Sequence, residues 1–155
     1  MVCMGNICRS PMAMVVANAL AGVPTSRQDT LPLFFESAGT HAHHVGERTD
    51  ARAAAALKRR GYVAAKHRSR RVGAADFERF DLILAMDNTN LAELQRLCPA
   101  HNAHKLRRFL DFSLQLSERE IPDPYYGSAA GFERVLDLCE IGANDLISSL
   151  RKTSR

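Results

Sequence analysis

The stretch Cys3-Met4-Gly5-Asn6-Ile7-Cys8-Arg9-Ser10-Pro11 lies between a short apolar start of the chain and an amphipathic segment. Ser10 is a suitable N-cap and Pro11 a suitable first residue for a helix. Apolar residues then recur at helical spacing up to Gly22, and they are Met12, Val15, Val16, Ala19 and Leu20. The stretch is therefore predicted to be a loop that leads from a strand into the N-terminus of a helix.

The same loop is suited to hold an oxyanion. If residues 4–9 curl around the Cys3 sulfur, their backbone N–H groups form an anion-binding nest, and the helix N-terminus adds partial positive charge. This environment favours the thiolate, which makes Cys3 a candidate nucleophile. Arg9 supplies a planar guanidinium that can grip two phosphate oxygens, and Ser10 can donate a hydrogen bond to the sulfur. A buried structural cysteine is the alternative for Cys3, but Arg9 and Ser10 in register before a helix favour catalysis.

Beyond this loop, strand-like and helix-like segments alternate. Short apolar runs predict strands, and apolar residues at helical spacing, bounded by capping residues, proline or glycine, predict helices. The predicted strands are 34–38, 81–86 and 105–110, and the predicted helices are 51–60, 75–80, 91–98 and one that begins at Ser128, after a long loop to Tyr126. Thr49 or Asp50 is expected to cap the helix over 51–60. This alternation predicts an α/β fold with a mainly parallel sheet and a ligand site at the carboxyl ends of its strands.

Length and composition fit one compact domain over residues 1–155. The chain has 46% hydrophobic and 25% charged residues, which is ordinary globular usage. No apolar run approaches the roughly 20 residues that cross a bilayer, and the chain does not open on a basic segment followed by a long apolar one. We therefore expect neither a membrane span nor secretion. Four irregularly spaced cysteines make a disulfide framework a poor interpretation and favour a cytoplasmic location.

The net charge of +4 suits an anionic partner without naming it. The clearest basic run, residues 66–71, has no interleaved aromatic residues, and the chain contains no tryptophan. A solvated basic loop is the better interpretation, so nucleic acid is not expected as a partner.

A second candidate for chemistry lies in Ile121-Pro122-Asp123-Pro124-Tyr125-Tyr126-Gly127. A thiolate that attacks phosphorus needs a separate acid for the leaving oxygen, and a carboxyl group on a loop can supply it. Asp123 is the candidate, because two prolines stiffen its loop. An ordinary Asp-Pro turn is the alternative for Asp123. Tyr125 and Tyr126 are suited to flank an aryl substrate, whereas anchoring of the loop is the simpler alternative for them.

Together the two motifs resemble those of the low-molecular-weight protein tyrosine phosphatases, and the resemblance covers essentially the whole chain. Ser37-Ala38-Gly39-Thr40, His67 before an arginine-rich stretch, and Met86-Asp87 also fall in the family's order and spacing. The resemblance implies a three-layer α/β/α fold, with a four-stranded parallel sheet between helices. It implies hydrolysis of phosphotyrosine in proteins, or of small aryl phosphate monoesters, through a phosphocysteine intermediate, with inorganic phosphate as product. It implies no metal and no organic cofactor.

The resemblance also assigns roles to residues. Cys3 would be the nucleophile, Arg9 the phosphate clamp, and Asp123 the general acid and later the base that activates water. Asn6, Ser10, Ser37 and His67 match a supporting hydrogen-bond network. The residues expected to bind substrate are Met4, Gly5, Asn6, Ile7, Cys8, Arg9, Ser10, His43, Tyr125 and Tyr126.

His43 marks a departure from the family, because eukaryotic relatives often carry a large aromatic residue in this segment. Substrate preference is therefore open. The cluster of His41, His43 and His44 could suggest a metal site, but a solvated loop is favoured in the absence of a nearby cysteine pair.

Two other functions compete with this interpretation. Arsenate reductases of the same fold share the cysteine and arginine loop, but they use a closely spaced downstream cysteine pair, and this chain has only Cys98 in its middle. A non-catalytic module that binds phosphate or phosphotyrosine is the other alternative. Asp123 argues against it, because a carboxylate above an anion does not help binding.

Two further expectations concern Cys8 and the residues that precede Cys3. The spacing of Cys8 from Cys3 allows a reversible disulfide, although Cys8 is equally well interpreted as a small loop residue. The resembled family has a full strand before the nucleophile, whereas here only Met1 and Val2 precede Cys3, so the first strand is expected to be truncated. We expect the natural protein to begin upstream of Met1 with about five further apolar residues, a usual strand length. Without them, we expect the 155 residues to be unstable or to recruit another segment or chain into the gap.

Overall fold

The computed structural model describes residues 1–22, 32–64 and 66–153 of the chain. Four parallel strands form its sheet in the order β2-β1-β3-β4. The strands are β1 (Val2–Cys3), β2 (Ala38–Gly39), β3 (Ile83–Ala85) and β4 (Leu106–Arg108). Val2 pairs with Ala38 on one side and with Ala85 on the other. The expected parallel sheet is confirmed, with β1 inside it.

Helices lie between these strands, and one further helix follows β4. They are α1 (Arg9–Ala21), α2 (Ala51–Arg59), α3 (Ala74–Arg79), α4 (Asn88–Leu97) and α5 (Ala129–Thr153). Asp50 caps α2, because its carboxylate accepts a hydrogen bond from the Arg52 N–H at 2.8 Å. No helix in the described ranges is both long and apolar enough to span a membrane.

The helices cover both faces of the sheet, as the alternation of side chains along a strand requires. Cys3 and Leu84 point to a core shared with α1, α2 and α5. Val2, Ile83 and Ala85 point to a second core, shared with α3 and α4. The expected three-layer α/β/α architecture is thereby confirmed.

The expected bounds of the strand over 34–38 and the expected start of the first helix are wrong. The strand expected over 34–38 is the two-residue β2, since β1 offers only two residues for the ladder, and Phe34 is 67% exposed. Helix α1 begins at Arg9 with Cys8 as its N-cap, rather than with Ser10 capping it. Ser10 is already inside the helix, where its hydroxyl contacts Cys3 and Asn6. That tertiary role outweighs the local preference of serine for the cap.

Two 3₁₀ helices follow α4 and β4. They span Ala100–Lys105 and Phe109–Phe112, and the second replaces the end of the strand expected over 105–110. Phe109 and Leu110 are fully buried there and pack in the same core as α5. Burial of these side chains in a single turn, rather than pairing to a neighbouring strand, ends β4 at Arg108.

Candidate active site

The loop of residues 4–8 joins the carboxyl end of β1 to α1, and we call it the anion loop. Its carbonyl oxygens are held by surrounding elements: His41 N–H donates to Met4 O at 3.1 Å, the Ser69 hydroxyl to Gly5 O at 2.9 Å, and Asp50 N–H to Ile7 O at 2.8 Å. Inside the loop, Asn6 N–H points at the Cys3 Sγ atom at 3.2 Å. The loop is thus curled around the sulfur, as the sequence predicts.

Asn6 fixes this curl. Its backbone is in the left-handed region with φ of 56°, an unfavourable conformation that asparagine tolerates better than most residues. Its side-chain amide donates to the hydroxyls of Ser10 and Ser37, both at 2.9 Å, and its carbonyl accepts from Arg70 N–H at 3.0 Å. Three hydrogen bonds to three different elements offset the backbone strain.

Gly39 allows the loop to approach β2. A Cβ atom at Gly39 would lie 2.7 Å from the Met4 carbonyl oxygen, so a side chain there would push the anion loop away. This close contact explains why a glycine stands at the end of β2.

Cys3 is buried beside hydrogen-bond donors. Its sulfur lies 3.0 Å from the Ser10 hydroxyl, in addition to the Asn6 N–H. Ser10 is joined through Asn6 to Ser37, and Ser37 Oγ lies 3.4 Å from His67 Nε2. The other ring nitrogen of His67 contacts Thr49 Oγ1 at 3.1 Å. Burial lowers the pKa of His67, so the ring is neutral at neutral pH.

Arg9 is buried and held from three sides. One of its nitrogens donates to Asp87 at 2.5 Å and to Ile121 O at 3.1 Å, and the other donates to Asp123 at 3.2 Å. Burial opposes its charge, but the hydrogen bond to Asp87 and the negative charges of Cys3 and Asp123 outweigh burial and raise its pKa. Arg9 therefore remains a fixed guanidinium next to the sulfur.

Asp123 lies in the loop before α5, and its carboxylate faces the Arg9 guanidinium. The Asp123 side chain is 49% exposed, and its second oxygen accepts a hydrogen bond from Tyr125 N–H at 3.1 Å. A carboxyl group that contacts both Arg9 and solvent can exchange a proton with a group held above Cys3.

Aromatic side chains surround part of the opening above the anion loop. The Tyr125 ring lies 6.2 Å from the ring of His44, which also packs against Gly5 of the anion loop. His43, expected to bind substrate, is exposed, and its ring centroid lies 5.8 Å from that of His41 in a stacked arrangement. Tyr126 is 98% exposed and meets Tyr125 edge-on. The structure thus places His44, rather than His43, next to Tyr125.

Several residues of the site were not singled out as site residues from the sequence. Asp87 accepts a hydrogen bond from Arg9 and caps α4. It lies just after β3, at the carboxyl edge of the sheet. The rule that ligands of open α/β sheets bind at this edge could have indicated Asp87. Thr49, Ser69 and the Arg70 backbone act through contacts that no sequence spacing reveals. In the described part of the chain, no group of three or more histidine, cysteine, aspartate or glutamate side chains could hold a metal ion.

Comparisons with known proteins agree with this geometry. The family model for the low molecular weight phosphotyrosine protein phosphatases matches residues 1–155. A Synechocystis sp. relative that bears the family name is 43% identical over 155 residues, covering 97% of this chain and 94% of its own. The low molecular weight phosphotyrosine protein phosphatase of Schizosaccharomyces pombe is 40% identical over 134 residues, covering 84% of this chain and 82% of its own.

A solved structure extends the agreement to the fold. The crystal structure of a protein tyrosine phosphatase from Entamoeba histolytica superimposes with a TM-score of 0.90 at 39% identity, covering 99% of this chain and 96% of the other. With a curled anion loop, a buried arginine and an opposing aspartate in one site, the chain belongs to the low molecular weight phosphotyrosine protein phosphatase family.

Proposed function

We propose that this chain, acting as one domain, hydrolyses phosphotyrosine in proteins, or small aryl phosphate monoesters, through a phosphocysteine intermediate on Cys3. The observation that supports this most directly is that Arg9 contacts Asp123 at 3.2 Å, while the anion loop that leads into Arg9 is curled around Cys3. Nucleophile, cation and carboxyl group thereby converge on one point. The free cysteines of the chain are compatible with the reducing cytoplasm as its location.

In the first step, the Cys3 thiolate attacks phosphorus, so that an S–P bond forms while the bond from phosphorus to the phenolic oxygen breaks. Asp123 gives its proton to that oxygen, and the product is a neutral phenol. Arg9 and the N–H groups of the anion loop hold the three equatorial oxygens in the transition state. The Ser10 hydroxyl at 3.0 Å stabilises the thiolate and the sulfur when it leaves again.

In the second step, water attacks the phosphorus of phosphocysteine. Asp123, now a carboxylate, accepts the proton of that water, the S–P bond breaks, and inorganic phosphate and the Cys3 thiolate are released. Asn6, Ser37 and His67 take no part in bond changes. They keep the loop in one conformation between the two steps.

The opening above the anion loop suits a flat phenyl group. Tyr125 and His44 stand beside the anion loop with 6.2 Å between their ring centroids, and Met4 of that loop is 43% exposed. We propose that His44 and Tyr125 together line one side of the position of the aryl ring, and that the exposed Tyr126 and His43 contact a protein substrate.

The arsenate reductase alternative lacks support. It needs two further cysteines that can reach Cys3 in turn, whereas Cys98 ends α4 and Cys139 is fully buried within α5. We therefore do not propose it.

The test is the turnover of a phosphotyrosine peptide by Cys3→Ser, Arg9→Ala and the control Cys98→Ser. We expect Cys3→Ser to lose turnover to background and to retain binding of the peptide, because the anion loop and Arg9 remain. Arg9→Ala should lose both, since the clamp acts in the ground state and the transition state. Cys98→Ser should match the unchanged protein. Turnover retained by Cys3→Ser would rule out the covalent mechanism, and binding without turnover in the unchanged protein would favour a binding module.

A further inference from the structure

Arg52, in the first turn of α2, reaches the loop that carries Asp123. We call residues 122–127 the acid loop. Arg52 Nη1 donates a hydrogen bond to the Tyr125 carbonyl oxygen at 2.9 Å. Its guanidinium also lies 5.4 Å from the centre of the Tyr125 ring and 4.7 Å from that of Phe132. A single side chain thus grips the acid loop by its backbone and by an aromatic ring.

The Asp50 carboxylate holds the Arg52 guanidinium in place through two hydrogen bonds. Arg52 Nε donates to one carboxylate oxygen at 3.1 Å and Nη2 to the other at 2.9 Å, a two-point contact that sets the plane of the guanidinium. Asp50 is anchored in turn, because its N–H donates to Ile7 O in the anion loop at 2.8 Å. An unbroken path of hydrogen bonds therefore runs from the anion loop through Asp50 and Arg52 to the acid loop.

The last link is the backbone of Tyr125. Its carbonyl oxygen accepts from Arg52, and its N–H donates to the Asp123 carboxylate at 3.1 Å. The position of Tyr125 consequently sets where the Asp123 carboxyl group stands. An arginine suits this task better than a lysine, because it can hold a carboxylate with two donors and still present a third to a carbonyl group.

We propose that Arg52 is a positioning residue for the general acid, which it acts on through the Tyr125 backbone while Asp50 ties it to the anion loop. This inference rests on the proposed function, in which Asp123 protonates the leaving group. It predicts that loss of Arg52 weakens proton delivery specifically, rather than phosphate binding or folding.

A purely structural role is the competing explanation, since Arg52 also stacks on Phe132 of α5. Arg59 offers a matched control, because it lies about two turns further along α2 and pairs with Glu133 of α5 at 2.6 Å. If Arg52 served only to join α2 to α5, Arg52→Gln and Arg59→Gln should have similar effects on activity.

The experiment measures kcat/KM of Arg52→Gln and Arg59→Gln over a series of aryl phosphates, from activated nitrophenols to poor leaving groups. General acid catalysis contributes about 10²–10⁴ in rate, and displacement of a catalytic group by 1 Å can cost about 10². We expect Arg52→Gln to lose roughly tenfold or more with the poorest leaving group and less than about twofold with the most activated one. Arg59→Gln should leave the series unchanged. Arg52→Lys should regain part of the loss, because a lysine can still donate to Tyr125 O.

The same measurement in an Asp123→Asn background separates this inference from the proposed function. There, Arg52→Gln should add less than about a further twofold loss, because the group that it positions is gone. An equal loss across all leaving groups, or a full additional loss in the Asp123→Asn background, would overturn the positioning role. If Asp123→Asn alone showed no dependence on the leaving group, the assignment of Asp123 as general acid would be wrong instead.

Discussion

Cys8, the last residue of the anion loop, differs in its surroundings from Cys3, which ends the strand before that loop. Burial, followed by the negative charges of Asp50, Cys3 and Asp123, raises the pKa of Cys8 to about 12. Cys8 is therefore a neutral thiol at neutral pH.

This difference leads to a prediction about oxidation. Peroxide should convert the Cys3 thiolate to a sulfenic acid, with the peroxide reduced to water, and the Cys8 sulfur should then displace water to form a disulfide. Because attack requires the Cys8 thiolate, closure should become faster as the pH rises. Mass spectrometry after mild peroxide should detect the Cys3–Cys8 link, and a thiol should restore activity. The same irreversible loss in Cys8→Ser and in the unchanged protein would show that Cys8 does not take part.

The choice between His43 and His44 shows what a sequence does not contain at this scale. The segment around them predicts a loop near the substrate, but adjacent residues point in different directions, and only the folded loop determines that His44 meets Tyr125. The prediction that Ser10 caps α1 is wrong because of a tertiary contact. A hydroxyl that suits a helix start by local rules is used by the Cys3 sulfur, which is a tertiary contact.

Helix α5 packs tightly against the turn that follows β4. A Cβ atom at Gly142 would lie 2.8 Å from both Leu110 Cδ2 and Phe109 Cε1, which are fully buried. Gly131, in the same helix, has more room, since its Cβ would meet Pro124 at an ordinary 3.6 Å. The two glycines form a matched pair within one helix.

We expect Gly142→Ala to destabilise the protein and Gly131→Ala to stabilise it. Overpacking typically costs about 1–3 kcal/mol, which exceeds the roughly 1 kcal/mol that alanine gains over glycine in a helix. At Gly131 the helix preference acts without the clash. Thermal melting should show Gly142→Ala below the unchanged protein by several degrees and Gly131→Ala above it, at about 2–4 °C per kcal/mol. Equal increases in melting temperature for both variants would show that Phe109 and Leu110 can shift to accommodate the added methyl group without loss of stability.

The elements themselves were largely predictable. Apolar residues at helical spacing indicated α1, α2, α4 and α5, and the apolar run before Asp87 indicated β3. The two 3₁₀ helices were not predicted. A single buried turn such as Phe109–Phe112 has no repeating pattern, and its residues alone suit a strand equally well.

For the molecule as a whole, His67 links stability to pH. Its folded pKa lies below the ordinary value of 6.5, because burial disfavours the imidazolium and the contacting groups are the hydroxyls of Ser37 and Thr49. Between the two pKa values the unfolded chain binds more protons than the folded one. The free energy of unfolding is therefore unaffected by this group above about pH 6.5 and falls as the pH decreases below it.

We expect the free energy of unfolding to decrease less with falling pH in His67→Asn than in the unchanged protein. Denaturant unfolding at pH 7.5 and 5.5 measures it, and each pH unit between the two pKa values corresponds to about 1.4 kcal/mol. The exposed His104 supplies the control, so His104→Asn should keep the full decrease. An unchanged pH dependence in His67→Asn would show that another group titrates on unfolding.

The pairing of Arg9 with Asp123 spans 114 residues of chain, and β1 lies beside a strand that is more than half the chain away. A ribosome adds about 5–20 residues per second, so roughly 6–25 s pass between the synthesis of Cys3 and that of Asp123, the proposed general acid. Under the proposed mechanism, a nascent chain in that interval holds the nucleophile but lacks the group that protonates the leaving oxygen. Turnover consequently begins only when both halves of the polypeptide have met. The time at which phosphatase activity appears during translation therefore reports when folding of the chain is complete.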